Sequence, residues 1–456
     1  MYIQIPVKTE VMEKNADIGT NGKFENGKIV IEMDTRKRDY QKILGVPRGE
    51  PIEWINERTF EVQELSSFAW PIVYRITTAD GYYRREGERL YFTPQIEGLS
   101  SQKKVSEVVI RLAVFLSIIA GLGYRKGSWL MEVLFGVVVS KSALARWVEE
   151  IAEQLPSADE IVKLLKRLKE ITEGHLDEIY PLGTDACVIV LRDEHGRIIG
   201  WQEVEKRDEE HVKPFLERFK RLGLKIKTFY IDHCQAYVNA IGAVYPEANI
   251  QLDYFHILQN IWRHVWKEFC QYRGEVKQRA SGSQTKWYSE KLKRLASQLW
   301  KNRYLFFKSD KNLRAEERER MMAVLHTDLK VSFIRGFLQR VWSIFEDSTD
   351  EPEAREKLEA LKKYSSSEAK EKSGFSRSIN FLDGHFDNMI TFLKVPGVQR
   401  NSLAESGMRV LRRLEESHDG FRSNKGRQNA LKIYQAVMYL GWSIHNPPNL
   451  SKMSVS

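Results

Sequence analysis

The residues that offer chemistry in this sequence are acids in apolar surroundings. Asp185 sits between Leu182 and Val188 in a run, Ile179 to Arg192, that reads as a buried strand. Asp232 closes Phe229-Tyr-Ile and precedes a helical pattern, at the strand end where open α/β sheets bind their ligands. A lone strand-end aspartate is ordinarily a turn or a cap. Two of them in this order say more, because a buried acid is costly unless it is paired, hydrogen-bonded or bound to a cation. If their strands are neighbours, the carboxylates converge. A hard cation such as Mg²⁺ then relieves their repulsion, and a third acid from a later helix completes the oxygen shell. Near the C-terminal end, Glu405, Arg409, Arg412 and Glu416 recur at helical spacing on one face, so carboxylate and guanidinium groups line up there. Ordinary pairing along a helix surface would produce the same spacing.

Other chemistries find no support. Gly121-Leu-Gly-Tyr-Arg-Lys-Gly-Ser has the composition of a phosphate loop, but its lysine precedes the glycine and no strand leads into it. GxSxG, HExxH and EF-hand patterns are absent. The three cysteines, Cys187, Cys234 and Cys270, form no CxxC pair, which excludes a cysteine-built zinc site and a disulfide scaffold and suits a reducing compartment.

The elements that must position these acids follow from the hydrophobic period. Up to about residue 100, short alternating runs such as Gly27-Lys-Ile-Val-Ile-Glu-Met predict strands, with Tyr82-Tyr83-Arg84-Arg85 as either a solvated hairpin or a surface for bases and phosphates. From Val105 to Leu155 the period turns helical in three pieces, broken at Gly121 and Gly123 and again at Gly136 and Ser140. A helix-turn-helix that shows Lys141, Ser142 and Arg146 to DNA explains this, and so does a plain three-helix bundle. A charged helical linker ends near Glu173. Then come the strand with Asp185, a turn at Asp193-Glu-His-Gly, a returning strand from Ile198, a helix from His211, the strand ending in Asp232, a helix from Gln235 to Val244 and a short strand at Asn249. This order predicts an α/β core with a mixed sheet. Residues 257 to about 395 are helical in pattern, and there Lys286, Lys291, Lys293, Arg294, Lys301 and Arg303 face only Glu290. Tryptophans 262, 266, 287, 300 and 342 in this stretch are either core or base-stacking platforms.

Composition agrees with a folded, multi-domain chain. It has 456 residues, 42% hydrophobic and 29% charged, enough for about two to four domains. The net charge of +9 suits a polyanionic partner. The longest apolar stretch, Leu112 to Leu122, is about half of the ~20 residues a membrane span needs. The first residues lack a basic region followed by an apolar one, so the expected setting is cytoplasmic, nucleoid-associated if the protein binds DNA, and without a membrane.

Taken together, Thr184-Asp185-Ala, Ile231-Asp232-His-Cys-Gln-Ala-Tyr, Tyr245-Pro-Glu-Ala-Asn-Ile-Gln-Leu-Asp-Tyr-Phe-His256 and Asn401-Ser-Leu-Ala-Glu405 resemble, in their order, the DDE transposases of bacterial insertion-sequence type. The nearest group is the Mutator-like one, and the resemblance covers about residues 105 to 440. It implies an RNase H-like α/β core with a large helical insertion, which in this chain the small β-rich region and the helix-turn-helix read from the period would precede. Period, composition and resemblance together give expected boundaries of 1–100, 101–156, a linker at 157–175, core at 176–256, insertion at 257–397, returning core helices at 398–445 and a tail at 446–456. It implies Asp185, Asp232 and Glu405 as catalytic metal ligands for Mg²⁺, with Mn²⁺ as a substitute. His256, Arg409 and Arg412 would contact DNA, beside Lys141, Ser142 and Arg146. Where much of the group has Cys-x-x-His, this chain has Asp253 before His256, which makes Asp253 either an additional acid or a structural substitute. The implied partners are double-stranded DNA, as element ends and target, and a second copy of the chain. A structure-selective nuclease on the same scaffold, or a DNA-binding regulator that has lost catalysis, are the alternatives.

Overall fold

A computed structural model describes residues 10 to 443, apart from 48, 68–69, 100–103, 169–170, 182–186, 327, 367–372, 401–403, 419–420, 422 and 442. Its first part is a sheet with its own core. Strands β1 (Thr20–Glu25), β2 (Lys28–Asp34), β3 (Glu53–Ser67), β4 (Trp70–Arg85) and β5 (Glu88–Phe92) are accompanied by short helices α1 (Glu10–Lys14) and α2 (Tyr40–Leu44). The sheet order is β1-β2-β4-β3, with β5 also paired to β4. Ile29, Ile31, Val62, Ile72, Tyr74 and Ile76 pack beneath it, the apolar half of the alternating pattern.

Three helices follow: α3 (Glu107–Ile118), α4 (Gly123–Phe135) and α5 (Lys141–Gln154). Ser140 caps α5 by accepting from the Ala143 N–H at 3.1 Å, and Gly136 ends α4 in the left-handed conformation. Gly123, at φ +68°, lies so close to the Ser417 carbonyl that any Cβ there would collide with it. These helices are therefore joined to the C-terminal part of the chain. Helix α6 (Ala158–Leu168) leads into the second sheet.

That sheet is the mixed α/β core. Strands β6 (Glu173–Ile179), β7 (Cys187–Arg192), β8 (Ile198–Val204), β9 (Thr228–Ile231) and β10 (Asn249–Leu252) take the order β10-β9-β6-β7-β8. The pairs β6/β7 and β7/β8 are antiparallel, whereas β6/β9 and β9/β10 are parallel. The Asp193 turn forms as its residues predict: the Asp193 carboxylate accepts from the His195 and Arg197 backbone N–H groups at 3.0 and 2.9 Å. Helices α7 (Glu209–Arg221) and α8 (Gln235–Val244) pack on one face through Phe215, Phe219 and Tyr237.

One strand differs from the reading of the sequence. The run from Ile179 to Arg192 is not a single strand: β6 ends at Ile179 and β7 begins at Cys187. The central strand, β6, is the segment Glu-Gly-His-Leu-Asp-Glu-Ile, whose buried His175 and Glu178 break the apolar signature expected of a fully buried strand.

The helical part comprises α9 (Tyr254–Ser281), α10 (Lys286–Lys301), α11 (Ala315–Leu325), α12 (Leu329–Glu346), α13 (Glu351–Ser365), α14 (Gly374–Met389) and the short α15 (Thr391–Lys394). It is the helical insertion that the fold class predicts. Two last helices, α16 (Ala404–Ser417) and α17 (Asn424–Leu440), return to the core sheet. Leu411 and Leu431 join Ile179, Val188, Val190 and Trp201 on the face opposite α7 and α8.

Candidate active site

The register of two parallel strands sets the site. Leu176 pairs with Ile231, so Asp177 and Asp232 stand side by side at the C-terminal ends of β6 and β9. Asp177 shares its face of β6 with His175 and Ile179, the face that α16 covers, and Glu178 points to the opposite face, toward α8. The Tyr237 hydroxyl on α8 donates to Glu178 at 2.7 Å. Arg207, between β8 and α7, joins the two faces: its Nη1 pairs with Glu178 and lies 2.8 Å from Asp232 Oδ2. The other Asp232 oxygen accepts from the Cys234 N–H at 3.0 Å, as a residue between a strand and a helix can.

These surroundings shift the acids apart. Burial raises the Asp177 carboxyl, and Asp232 adds to the rise against the Glu178 N–H, His256 and Arg412. Burial, with Asp232 beside it, pushes Glu178 up to about 7 despite Arg207. Burial opposes the charge on Arg207, but Glu178 and Asp232 outweigh it and raise its pKa, so this guanidinium is a fixed cation. On the Asp177 face, His175 stacks on Tyr230 with ring centroids 4.5 Å apart, and burial lowers it to about 4. Burial lowers the fully buried Arg192 to about 10, against the pull of Asp177.

Several residues singled out in the sequence gather here. His256, in the first turn of α9, is close enough to Asp177 to stabilise its charge, and so is Arg412 on α16. His233, next to Asp232, pairs with Asn260 of α9 at 3.2 Å. Asp253 caps α9, its Oδ1 accepting from the Phe255 and His256 N–H groups at 2.8 and 3.4 Å, which gives it a structural role that the sequence left open. Arg409 and Arg412 are exposed, while Leu411 and Leu414 are buried, the division their helical spacing predicts. The chain leading into α16 is anchored at the site: the Gln399 N–H donates to the Tyr230 hydroxyl at 2.8 Å, and Arg400 lies over the Tyr254 ring at 4.7 Å.

Others stand apart or are not described. Asp185 lies outside the described residues, and the strand that follows it, β7, is not the neighbour of β9. Glu405 stands in the first turn of α16, seven positions before Arg412 and so on the same face; its side chain is outside the described part. Lys141, Ser142 and Arg146 are exposed on α5, and the first two line a cleft against His418 and Phe421, away from the acids. Sequence reading missed Asp177, Glu178 and Arg207. The local trace of them is slight: Leu176 and Ile179 bracket two acids ahead of an apolar run, and nothing nearby marks that segment as the central strand.

The donors suit a divalent cation. Carboxylate oxygens are hard ligands, and a cation would offset both the burial that raises Asp177 and its smaller repulsion with Asp232. Among the described residues, no group of three His, Cys, Asp or Glu side chains is assembled to hold one.

The family model of the ISL3-type DDE transposases matches residues 176–426, more than half of the chain. The chain belongs to this transposase family. The matched span begins one residue before Asp177 and takes in Asp232, the helical insertion and α16. No curated protein sequence matches the transposase. Among solved structures, a chain of the Drosophila P element transposase strand transfer complex is similar at 12% identity and a TM-score of 0.36, over 80% of this chain and 95% of that one. Among the described residues of the transposase, no helix is long and apolar enough to cross a membrane.

Proposed function

We propose that this transposase binds the terminal repeats of an insertion element and carries out DNA cleavage and strand transfer with Asp177, Asp232 and Glu405. The observation that carries this reading is the β6/β9 register, which sets Asp177 beside Asp232 beneath α16. The strand order, three antiparallel strands followed by two parallel ones, is that of an RNase H-like core. Asp177 takes the position on the central strand that the resemblance had given to Asp185. Glu405 enters from α16, whose lead-in is tied to Tyr230 of β9.

Asp177, Asp232 and Glu405 would hold Mg²⁺, or Mn²⁺ in its place, and the bound ions supply activation of the attacking oxygen and charge neutralisation at the leaving oxygen. The chain's own residues do the rest. Arg207 orients Asp232 from behind and offsets its charge while Glu178 anchors the guanidinium. Arg409, Arg412 and His256 present cationic or donor groups to a phosphodiester lying against the acids. Duplex DNA further from the site would run over the N-terminal strands and α3 to α5, where Lys141, Ser142 and Arg146 are exposed. Two element ends require two active sites, so the DNA complex is expected to be a dimer.

The test is cleavage and joining of a labelled duplex that carries the element's own terminal repeat, with Mg²⁺ or EDTA. Wild type should join in Mg²⁺ alone. Asp177→Asn and Glu405→Gln should lower joining at least about a hundredfold, the loss expected when several kcal/mol of charge stabilisation go. Asp185→Asn should leave it within a few-fold. Joining that survives Asp177→Asn but vanishes in Asp185→Asn would return the first acid to Asp185. Cleavage without joining would make the protein a nuclease, and binding without cleavage a regulator.

A further inference from the structure

Helix α9 begins at the acids and continues past an aromatic cleft. Phe255, next to His256, is 42% exposed. Positions 259, 262, 263 and 266 share its face at i+4, i+7, i+8 and i+11, so one stripe of the helix runs outward from the site. There Trp262 and Trp266 meet Tyr304 and Phe307, from the segment after α10, around an open cleft of about 520 Å³. The Trp266 and Tyr304 rings are within 9° of parallel, with centroids 6.2 Å apart, and Tyr304 is 66% exposed. The indole N–H of Trp262 meets no acceptor among the described residues.

The charge around this cleft is of one sign. Arg263 and Lys308 line it and no carboxylate does; Lys308 is paired with Glu317, at 2.9 Å, while Arg263 makes no ion pair among the described residues. Behind Tyr304, Arg303 lies 4.3 Å from the Trp300 and Tyr304 ring centroids, and Arg273 lies 4.4 Å from that of Trp300. Apolar ring faces bordered by unneutralised guanidinium groups are poor ordinary surface and good stacking platforms for a base with its phosphate. Trp262 and Trp266 lie six and ten positions beyond His256, about 9 and 15 Å along the helix. A strand held at the acids therefore reaches the cleft within about three to five stacked nucleotides.

We propose that this cleft binds unpaired bases of a DNA strand leaving the active site, stacking them on Trp262, Trp266 and Tyr304 while Arg263 takes a phosphate. The proposal rests on the transposase reading of the neighbouring acids, and it adds a site for single-stranded DNA that catalysis does not itself require.

The test compares binding of the full-length protein, in EDTA, to a blunt duplex and to the same duplex with a short single-stranded tail, read by fluorescence anisotropy. Wild type should prefer the tailed duplex. Tyr304→Ala, at an exposed position, and Trp262→Ala should each weaken tailed binding about fivefold or more, as the loss of one stacked base predicts, and leave blunt binding unchanged. Trp266→Phe should retain the preference. A 2-aminopurine in the tail should be quenched by wild type and not by Tyr304→Ala. Equal binding of both duplexes by wild type, or a preference kept by both alanine variants, overturns the proposal and leaves the transposase reading standing. Binding of neither duplex by wild type overturns both. If sedimentation without DNA shows a dimer that Tyr304→Ala dissociates while tail preference persists, the cleft holds a second copy of the chain and the proposal fails.

Discussion

At the scale of single residues, the core depends on buried groups of opposite titration. Burial lowers His175 from 6.5 to about 4, so the unfolded chain takes up a proton that the folded one refuses. That contribution to stability is whole above pH 6.5 and is lost as pH falls toward 4. Burial beside Asp232 raises Glu178 from 4.5 to about 7, so the folded chain keeps a proton that the unfolded one releases. This contribution is whole below pH 4.5 and is lost as pH rises toward 7. Between pH 4.5 and 6.5 the two slopes oppose each other. His175→Gln should make stability fall with rising pH, relative to wild type, by up to about 1.4 kcal/mol per unit, and Glu178→Gln should make it rise by as much. Urea unfolding at pH 4.5, 5.5 and 6.5 measures both, and three parallel profiles would contradict them. Asp232 was legible at this scale because a strand-end acid before a helix is a local pattern. Asp177 was not, because its meaning depends on which strand lies beside β9.

At the scale of elements, local signals served well where an element's ends are marked by its own residues. Helix α8 spans Gln235–Val244, as read, and the Asp193 turn joins β7 to β8. Ser373 caps α14, its hydroxyl accepting from the Ser376 N–H at 3.1 Å. Asp253 illustrates the limit: an acid one residue beyond a strand can ligate or cap, and only the strand-to-helix geometry shows it capping α9. Asp253→Ala should cost about 1 kcal/mol in denaturant unfolding, and Asp253→Asn, which keeps the cap, only a few tenths. With capping as its role, Asp253→Asn should also join DNA ends as wild type does; a variant of normal stability that no longer joins would assign the carboxylate's charge to the reaction.

At the scale of the whole molecule, a buried guanidinium holds the returning helices to the sheet. Arg427 of α17, 2% exposed, pairs with Glu415 of α16 at 2.6 Å and with Glu203 of β8 at 2.7 Å. Arg427→Ala strands one buried and one largely buried carboxylate and should cost about 3–5 kcal/mol. A loss below about 1 kcal/mol in calorimetric or denaturant unfolding would mean that water reaches those carboxylates. The same assembly brings α16 over β6, and so decides which acids can meet. Residue type and period were sufficient for the α/β alternation from β8 to β10, the helical insertion, the division of α16 into exposed arginines and buried leucines, and the strand-end place of Asp232, because each depends on neighbours a few positions away. Strand pairing was beyond them. The central place of β6, the register that sets Asp177 beside Asp232, the bridge from Arg207 and the aromatic cleft along α9 all join residues distant in the chain, and a central strand that carries buried His175 and Glu178 lacks the apolar run by which such strands announce themselves.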